Sequence, residues 1–282
     1  MPVTLLGATE IRRLAAELDV TPTKKLGQNF VVDANSVRRI VQVAGVTASD
    51  RVVEIGPGLG SLTLAILETG ATVTAVEIDH RLAARLAETA AAHGVPDGAL
   101  TVVDADALRV MELPGDPEVL VANLPYNVSV PVLLHFLETF PALQRGVVMV
   151  QAEVGERMAA GPGSKIYGAP SVKAAWYGSW RLAGNVSRQV FWPVPNVDSV
   201  LVAFTLDSDP RGTEEERRRT FAIVDAAFQQ RRKMLRQALA GVVGTTAAEA
   251  SALLESAGVA PTARGEELGV EDYLRIARIS VS

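Results

Sequence analysis

The chain has 282 residues, of which 48% are hydrophobic and 21% charged, and its formal net charge is −5. These values are typical of a folded protein with a sizeable core, built as one large domain or as a large and a small one, and they exclude a disordered chain. The absence of cysteine excludes a disulfide framework, a cysteine-ligated zinc and a thiol nucleophile, and three scattered histidines give no basis for a histidine metal site.

The apolar runs of the chain are short. Each is soon interrupted by polar residues, whereas a membrane-spanning helix needs about 20 apolar residues. The N-terminus lacks a basic start followed by a long apolar stretch and a cleavage site, so it does not resemble a secretory signal. We therefore expect a cytoplasmic protein without a membrane-spanning segment.

Strand-like runs and helical patterns alternate over the first half of the chain. The strand-like runs are 51–55, 71–77, 100–103, 118–123 and 146–151. Helical patterns lie near 60–69, 80–92 and 129–139, and Asp33 can cap a helix that continues to about Ala44. This alternation predicts βαβ units and a mostly parallel sheet. Two later runs, 181–190 and 198–206, bring the predicted sheet to seven strands.

The composition changes after Leu206. The stretch 207–216 reads DSDPRGTEEE, which is typical of a linker, and the remainder of the chain shows helical patterns without a strand. We predict two domains. Residues 1–208 form a Rossmann-like α/β domain with an N-terminal helical extension, and residues 213–282 form a small all-helical domain.

A glycine-rich turn follows the first predicted strand. Residues 54–60 read EIGPGLG, and Gly56 and Gly58 allow the backbone to approach a ligand closely at a helix start. Glu77 ends the second strand and can accept hydrogen bonds from a ribose. A dinucleotide such as NAD is one alternative, but its motif is G-x-G-x-x-G, and Glu54 is poorly placed beside a pyrophosphate. S-adenosylmethionine, which carries a sulfonium and an ammonium, suits Glu54 better.

Two carboxylates, Asp104 and Asp106, follow the third predicted strand. One of them can accept a hydrogen bond from the adenine amine of the cofactor. We prefer Asp106 for this role and interpret Asp104 as a solvated loop residue.

The fourth predicted strand ends in Asn123, followed by Leu124, Pro125 and Tyr126. An exocyclic adenine amine is planar and a poor nucleophile until it pyramidalises. The Asn123 oxygen and a backbone carbonyl of the Leu124-Pro125 turn can accept its two hydrogens, and the ring of Tyr126 can stack on a flipped-out base. The sequence thus predicts transfer of a methyl group to an amine. The absence of cysteine argues against methylation at the 5-position of a pyrimidine.

These motifs resemble those of the ribosomal RNA adenine dimethyltransferases. The resemblance begins at residues 25–33 (KLGQNFVVD), with Val31 where the family usually has leucine, and continues through the segments already described and PGSKIYG at 162–168. Residues 191–199, FWPVPNVDS, are similar to the family pattern F-x-P-x-P-x-V-D-S. The C-terminal segments 226–239 and 261–277 look like the housekeeping small-subunit enzymes of the family rather than its antibiotic-resistance members.

The resemblance implies a class I methyltransferase fold and a set of site residues. It implies that S-adenosylmethionine contacts Gln28, Asn29, Val31, Gly56, Glu77, Asp106 and Asn123. It also implies that Phe191 covers the target base opposite Tyr126. The implied activity is dimethylation of two adjacent adenosines in the 3′-terminal hairpin loop of 16S rRNA, within a small-subunit assembly intermediate, with S-adenosylhomocysteine as the second product.

Basic residues concentrate between positions 211 and 236, where 8 basic and 4 acidic residues occur. With the resemblance, this segment is interpreted as an rRNA-facing surface that binds phosphates. Its candidate RNA-binding residues are Arg217, Arg218, Arg231, Arg232, Lys233 and Arg236. Arg219 belongs to the same segment.

Three alternatives remain at this point. The chain can be a resistance-type enzyme that acts on 23S rRNA, a non-catalytic assembly or transcription factor with the same fold, or an NAD-dependent oxidoreductase. An eroded glycine turn or tetrapeptide would favour the second alternative, and both motifs are intact. We expect a monomer that uses no metal.

Overall fold

The computed structural model describes residues 2–20, 29–242 and 246–280. Its contacts divide the chain into two compact units. The first comprises Met1–Gly155 and Arg181–Leu206, and the second comprises Glu156–Trp180 and Asp207–Ser282.

The described strands are β1 (Phe30–Val31), β2 (Arg51–Ile55), β3 (Thr72–Glu77), β4 (Leu100–Asp104), β5 (Val119–Asn123), β6 (Arg145–Gln151), β7 (Gly178–Val186), β8 (Phe191–Trp192) and β9 (Ser199–Leu206). The helices up to β7 are α1 (Ala8–Glu17), α2 (Ala34–Ala44), α3 (Ser61–Leu67), α4 (His80–Ala92), α5 (Ser129–Thr139), α6 (Ala152–Met158) and α7 (Ala169–Tyr177). The later ones are α8 (Glu214–Gln229), α9 (Leu235–Leu239), α10 (Ala247–Ser256) and α11 (Val270–Ile279). Short 3₁₀ turns cover Arg188–Val190 and Gly265–Glu267.

Seven strands form one sheet in the order β4-β3-β2-β5-β6-β9-β7. The first five are parallel to their neighbours, and β9 runs antiparallel to β6. Strands β2, β5 and β6 are apolar and buried over most of their length, as expected where helices cover both faces of a parallel sheet. The prediction of a seven-stranded, mostly parallel sheet is confirmed.

The register aligns the carboxyl ends of the parallel strands. Ile55 of β2 lies opposite Val76 of β3 and Ala122 of β5, and Glu77 of β3 lies opposite Asp104 of β4. The polar residues that end these strands therefore meet along one edge of the sheet, where ligands bind in open α/β folds.

Helix α2 shows how the local sequence sets these elements. Asp33 caps it by accepting a hydrogen bond from the Ser36 N–H at 2.8 Å, and Gly45 ends it in a left-handed conformation. Its apolar face, with Val37 and Ile40, packs in the core cluster that also contains sheet residues such as Val121. The predicted cap and apolar face of this helix are confirmed.

A second, smaller sheet was not predicted. Strand β1 pairs antiparallel with β8, so that Phe30 lies opposite Trp192 and Val31 opposite Phe191. Two residues on each side are too short for a periodic pattern, and the pairing joins segments about 160 positions apart, which no local signal can indicate.

The second unit is helical around its own core. Tyr167, Val172 and Tyr273 are among the buried residues of this core, and the two phenol groups donate hydrogen bonds to the carbonyls of Leu268 and Gly265 at 2.9 and 2.8 Å. Helix α8 begins with a capping box in which Thr213 and Glu216 satisfy each other's backbone N–H groups.

The predicted domain bounds, 1–208 and 213–282, stay a prediction, and the compact units differ from them in one segment. Residues 156–180 belong to the second unit, where Trp176 of α7 packs edge-on against Phe221 of α8 with ring centroids 5.9 Å apart. Because this aromatic contact joins residues 45 positions apart, the composition change near residue 207 could not reveal that residues 156–180 belong to the second unit. No described helix combines the length and apolarity that crossing a bilayer requires.

Candidate active site at the carboxyl edge of the sheet

A cavity of about 270 Å³ opens at the carboxyl edge of the sheet in the first unit. Five segments line it, drawn from residues 29–31, 54–62, 76–82, 105–108 and 123–132. These segments contain Asn29, Val31, Glu54, Gly56, Gly58, Glu77, Asp106, Asn123, Leu124, Pro125 and Tyr126 from the predicted set. Gln28 lies outside the described residues.

The glycine turn forms the floor of this cavity. Gly58 has a φ of +58°, and a Cβ there would lie 2.9 Å from the ring of Phe30. Gly60 has a φ of +96°, and a Cβ there would lie 2.9 Å from Leu86. Both positions combine a left-handed backbone with a close neighbour, so only glycine fits without displacement. Phe30 also lines the cavity, and its place in the motif at residues 25–33 does not by itself indicate that contact.

Glu54 and Ser61 are among the residues that line this cavity, and each carries a buried polar atom. Glu54 is 1% exposed, and among the described residues neither its Oε2 atom nor the Ser61 hydroxyl has a hydrogen-bond partner. Burial raises the pKa of Glu54 to about 8. A buried acceptor without a partner is costly, so its presence beside the glycine turn fits a ligand that brings its own donor or positive charge. The site is therefore suited to a cationic cofactor.

Glu77 is also buried, but its carboxylate has partners. Oε2 accepts a hydrogen bond from the Gly58 N–H at 3.0 Å, and Oε1 accepts from the N–H groups of Ile78 and Asp79 at 2.9 and 3.0 Å. Burial raises the pKa of Glu77, while these bonds favour the carboxylate. The side chain thus ties the end of β3 to the glycine turn, a role that its position at a strand end did not reveal.

Asp104 ends β4 and Asp106 follows it, and the two carboxylates have different contacts. Asp106 lines the cavity and accepts a hydrogen bond from the Leu108 N–H at 2.9 Å. Asp104 contacts His80 Nδ1 at 2.5 Å and is not among the cavity-lining residues. The assignment of Asp106 rather than Asp104 to the adenine amine stays a prediction.

Asn123 is oriented by the segment before β1. Its Nδ2 donates a hydrogen bond to the Asn29 carbonyl at 3.0 Å, so the side-chain oxygen is directed away from that carbonyl. Leu124 is buried, and its N–H donates to the Met149 carbonyl at 3.1 Å. The turn is therefore attached to β6 on one side, while Pro125 lies against Gly56 on the other.

The two aromatic residues assigned to the target base have different surroundings. Tyr126 lines the cavity, and its hydroxyl lies 2.9 Å from the hydroxyl of Ser199. Phe191 is 2% exposed, belongs to the main core cluster and does not line the cavity. Phe191 pairs with Val31 across the β1–β8 sheet, and its placement opposite Tyr126 stays a prediction. Its neighbour Trp192 stacks on Phe30 instead, with centroids 6.3 Å apart.

The basic segment of the second unit contains cations of two kinds. Arg217 is 9% exposed, pairs with Glu214 at 2.8 Å and lies over the Phe221 ring at 5.2 Å. It therefore belongs to the packing of the unit, which corrects its assignment to an exposed RNA-facing surface. Arg231 pairs with Glu266 at 2.8 Å and donates to the Lys165 carbonyl at 2.6 Å.

The other members of the segment are more accessible: Arg218, Arg232 and Lys233 are exposed, and Arg219 is half-buried. Arg218 lies 3.4 Å from Glu214, and Arg219 pairs with Glu215 one turn earlier. Arg232 and Lys233 lie in the turn after α8, and within the described ranges neither pairs with a carboxylate. Arg236 on α9 is partly exposed.

Among the described residues, no group of three or more histidine, aspartate or glutamate side chains is arranged to hold a metal ion. The chain has no cysteine to add to such a group.

The sequence of this chain matches that of a known protein family. Residues 21–281 match the family described as ribosomal RNA adenine dimethylase. The chain belongs to this family. The match includes the cavity and the helical second unit, so membership applies to nearly the whole chain.

Curated members of the family are very similar to this chain. The ribosomal RNA small subunit methyltransferase A of Leifsonia xyli subsp. xyli is 68% identical over 97% of this chain and 98% of its own length. The protein of the same name from Streptomyces coelicolor is 59% identical over 99% of this chain and 98% of its own length.

Solved structures share the fold of the family. A dimethyladenosine transferase from Plasmodium falciparum superposes with a TM-score of 0.73 at 24% identity, over 86% of this chain and 94% of that one. The 23S rRNA methyltransferase ErmE gives a TM-score of 0.65 at 26% identity, over 90% of this chain and all of that one. The predicted class I methyltransferase fold is confirmed. The chain is 68% and 59% identical to the two small-subunit enzymes but 26% identical to ErmE, so the resistance-type alternative is not favoured. The non-catalytic factor and the oxidoreductase are not favoured either.

Proposed function

We propose that this protein transfers methyl groups from S-adenosylmethionine to the exocyclic amines of two adjacent adenosines in the 3′-terminal hairpin loop of 16S rRNA. The observation that carries the proposal is the orientation of Asn123, whose amide is held beside the glycine turn by the Asn29 carbonyl at 3.0 Å. The names of relatives that are 59% and 68% identical support the small-subunit substrate.

The cofactor would lie along the glycine turn. Glu54 and Ser61 would face its charged amino-acid end, Glu77 its ribose, and Asp106 its adenine amine. Asn29 and Val31 would close over it from the β1 side. When bound, S-adenosylmethionine supplies an electrophilic methyl group. The unpartnered oxygen of Glu54 and the left-handed glycines support this assignment.

Asn123 would accept one hydrogen of the target amine, and a backbone carbonyl of the Leu124-Pro125 turn would accept the other. Two acceptors favour the pyramidal amine, whose lone pair would displace the sulfonium sulfur from the methyl carbon. The N–C bond would form as the S–C bond breaks, S-adenosylhomocysteine would leave, and the surplus proton would pass to water. The amine nitrogen becomes acidic as it gains the methyl, so a neutral amide suffices and neither a strong base nor a metal is needed. Alignment of amine and methyl can lower the barrier by roughly 7 to 11 kcal/mol in favourable cases.

Tyr126 would stack on the flipped-out adenine. Such stacking contributes roughly 1 to 3 kcal/mol per base. Burial raises the pKa of this phenol above its ordinary value. Because Phe191 is buried and does not line the cavity, we assign the stacking to Tyr126.

The exposed cations after α8 would contact rRNA phosphates. Arg232 and Lys233 are the main candidates, and Arg218, Arg231 and Arg236 would add to the positive surface. Phosphate contacts of this kind give affinity that depends on salt but carry no sequence information. We further propose that the protein acts as a monomer in the cytoplasm, on a small-subunit assembly intermediate.

Mass spectrometry of RNA tests the proposal directly. Small subunits that lack the dimethyladenosines are incubated with the protein and S-adenosylmethionine, and naked 23S rRNA is the competing substrate. We expect two adjacent dimethyladenosines near the 3′ end of 16S rRNA and none in 23S rRNA. Methylation of 23S rRNA alone would instead establish the resistance-type activity. Absence of methylation, with binding of NAD but not S-adenosylmethionine, would establish the oxidoreductase.

A further inference from the structure

Ser199, the last residue of the V-D-S motif, has no role in the proposed methyl transfer. Ser199 is the first residue of β9, lies opposite Gln151 at the end of β6, and is 1% exposed. The Ala152 N–H donates to the Asp198 carbonyl at 2.9 Å, so the backbone beside Ser199 is held at the edge of the sheet. Ser199 is thus a fixed, buried hydroxyl at the same edge as the cavity.

Tyr126 has a different backbone environment. It lies in the turn between β5 and α5, outside both elements. Its hydroxyl is 2.9 Å from the Ser199 hydroxyl, and its ring lines the cavity. The ring therefore has one attachment at its own Cα in the turn and a second at the sheet.

We propose that Ser199 is a positioning residue, which directs the ring of Tyr126 toward the target adenine through the hydrogen bond between the two hydroxyls. The proposal rests on the proposed function, in which Tyr126 stacks on the base.

The geometry explains why one bond is effective. The long axis of a tyrosine ring runs from Cβ to the hydroxyl, so an anchor at the hydroxyl fixes the direction of that axis. Among the described residues, the bond to Ser199 is the hydrogen bond that holds the Tyr126 hydroxyl, so without it the ring is freer to rotate about its first side-chain torsion. Stacking requires the ring face at a defined height beside the base, and a freely rotating ring loses part of that contact.

A double-mutant cycle tests the proposal. Ser199→Ala, Tyr126→Phe and the double variant are compared with the wild type for methylation of under-methylated small subunits, measured by mass spectrometry. Each single variant removes one partner of the same bond. We expect each to lower kcat/KM for the subunit by about fivefold, the size expected for one neutral hydrogen bond. The double variant should show the same roughly fivefold loss rather than about 25-fold, since the bond is lost only once.

Two further variants separate positioning from stability. Ser199→Thr keeps the hydroxyl and should restore most of the lost kcat/KM. Thr74 lies in β3, and its buried hydroxyl donates to the Pro114 carbonyl at 3.1 Å. Thr74→Val removes this hydroxyl and is therefore the matched control. It should change the melting temperature without changing kcat/KM. Equilibrium binding of S-adenosylmethionine should be unchanged in every variant.

Three results would overturn the proposal. They are multiplicative losses in the double variant, an unchanged kcat/KM in Tyr126→Phe, and a loss in Thr74→Val as large as in Ser199→Ala. If Ser199→Ala does not fold, Tyr126→Phe and Ser199→Thr decide the question by themselves. An unchanged Tyr126→Ala would instead refute stacking itself. Methylation of a different RNA would refute the proposed substrate while the cycle could still be measured on that RNA.

Discussion

Charged side chains have opposite surroundings at the cavity and on helix α8. At the cavity, Glu54 and Glu77 are 1% and 5% exposed, and neither carboxylate pairs with a cation among the described residues. On α8, Arg218 is exposed and Arg219 is half-buried, and each lies close to a glutamate one turn earlier. Burying an ionised carboxylate without a cation is costly, which raises the pKa of both groups, whereas an exposed pair of the α8 kind contributes only about 0.3 to 0.5 kcal/mol. Unpaired burial therefore indicates a ligand site more strongly than exposed charge does.

Among substitutions at the cavity, removal of the Asn123 amide should have the largest effect. Asn123→Ala removes an acceptor for the target amine, and we expect kcat to fall by about 100- to 1,000-fold, as for loss of other groups that stabilise a transition state. Mass spectrometry of the RNA measures turnover, and the melting temperature reports folding. Asn185→Ala, in β7 and outside the cavity, is the matched control. Wild-type turnover in Asn123→Ala would remove its assigned role.

Glu54 should be the next most sensitive position. Glu54→Gln keeps the shape of the side chain but removes the negative charge. We expect affinity for S-adenosylmethionine to fall by about 10- to 100-fold, which corresponds to one charge-assisted hydrogen bond. Equilibrium binding measures this loss. Equal affinity in the two proteins would show that the buried carboxylate has no part in cofactor binding.

The same residue predicts a pH dependence of stability. The pKa of Glu54 in the folded protein is about 8, above its ordinary value of 4.5, because of burial. Between these values the folded protein holds a proton that the unfolded chain has lost, so the free energy of unfolding of the cofactor-free protein should decrease as pH rises through this interval. Glu54→Gln should flatten the decrease.

Cofactor binding should reverse the protonation of Glu54. A cation beside the carboxylate favours its ionised form, so binding below about pH 8 should release a proton. Calorimetric binding enthalpies in two buffers with different ionisation enthalpies measure that release. Identical enthalpies in both buffers would contradict this link.

Gly58 tests whether the shape of the cavity matters separately from its charge. Gly58→Ala adds a Cβ 2.9 Å from the Phe30 ring at a φ of +58°. Gly98→Ala is the matched control, with a φ of +82° and nothing within 4 Å. Both should lose about 1 to 2 kcal/mol of unfolding free energy from the left-handed backbone. Only Gly58→Ala should also weaken S-adenosylmethionine binding, by about tenfold. Equal cofactor affinities would indicate that Phe30 moves aside freely.

The sequence was most informative where residue order alone determines position. Strand ends in a parallel sheet meet at one edge, so Glu54, Glu77 and Asn123 could be assigned to one site from their places after apolar runs. The site details that the sequence did not reveal depend on long-range pairing. Pairing of β8 with β1 buries Phe191, and the start of β9 places Ser199 beside Tyr126. Neither contact leaves a periodic signal, because the partners are more than 70 positions apart in the chain.

Neutralising one exposed cation of the basic segment should have the smallest effect. Comparison with the buried Arg217 gives the clearest contrast between an exposed and a buried charge. Arg232→Gln removes an exposed cation that has no carboxylate partner within the described ranges, and it should reduce the slope of log affinity against log salt by about 0.7 to 0.9, as for one lost phosphate contact. Arg217→Gln instead breaks the contacts with Glu214 and the Phe221 ring, so it should lower the melting temperature and leave the slope unchanged. Filter binding of small subunits at several salt concentrations measures the slope. If Arg217→Gln changed the slope as much as Arg232→Gln, burial would not separate structural from RNA-facing cations in this segment.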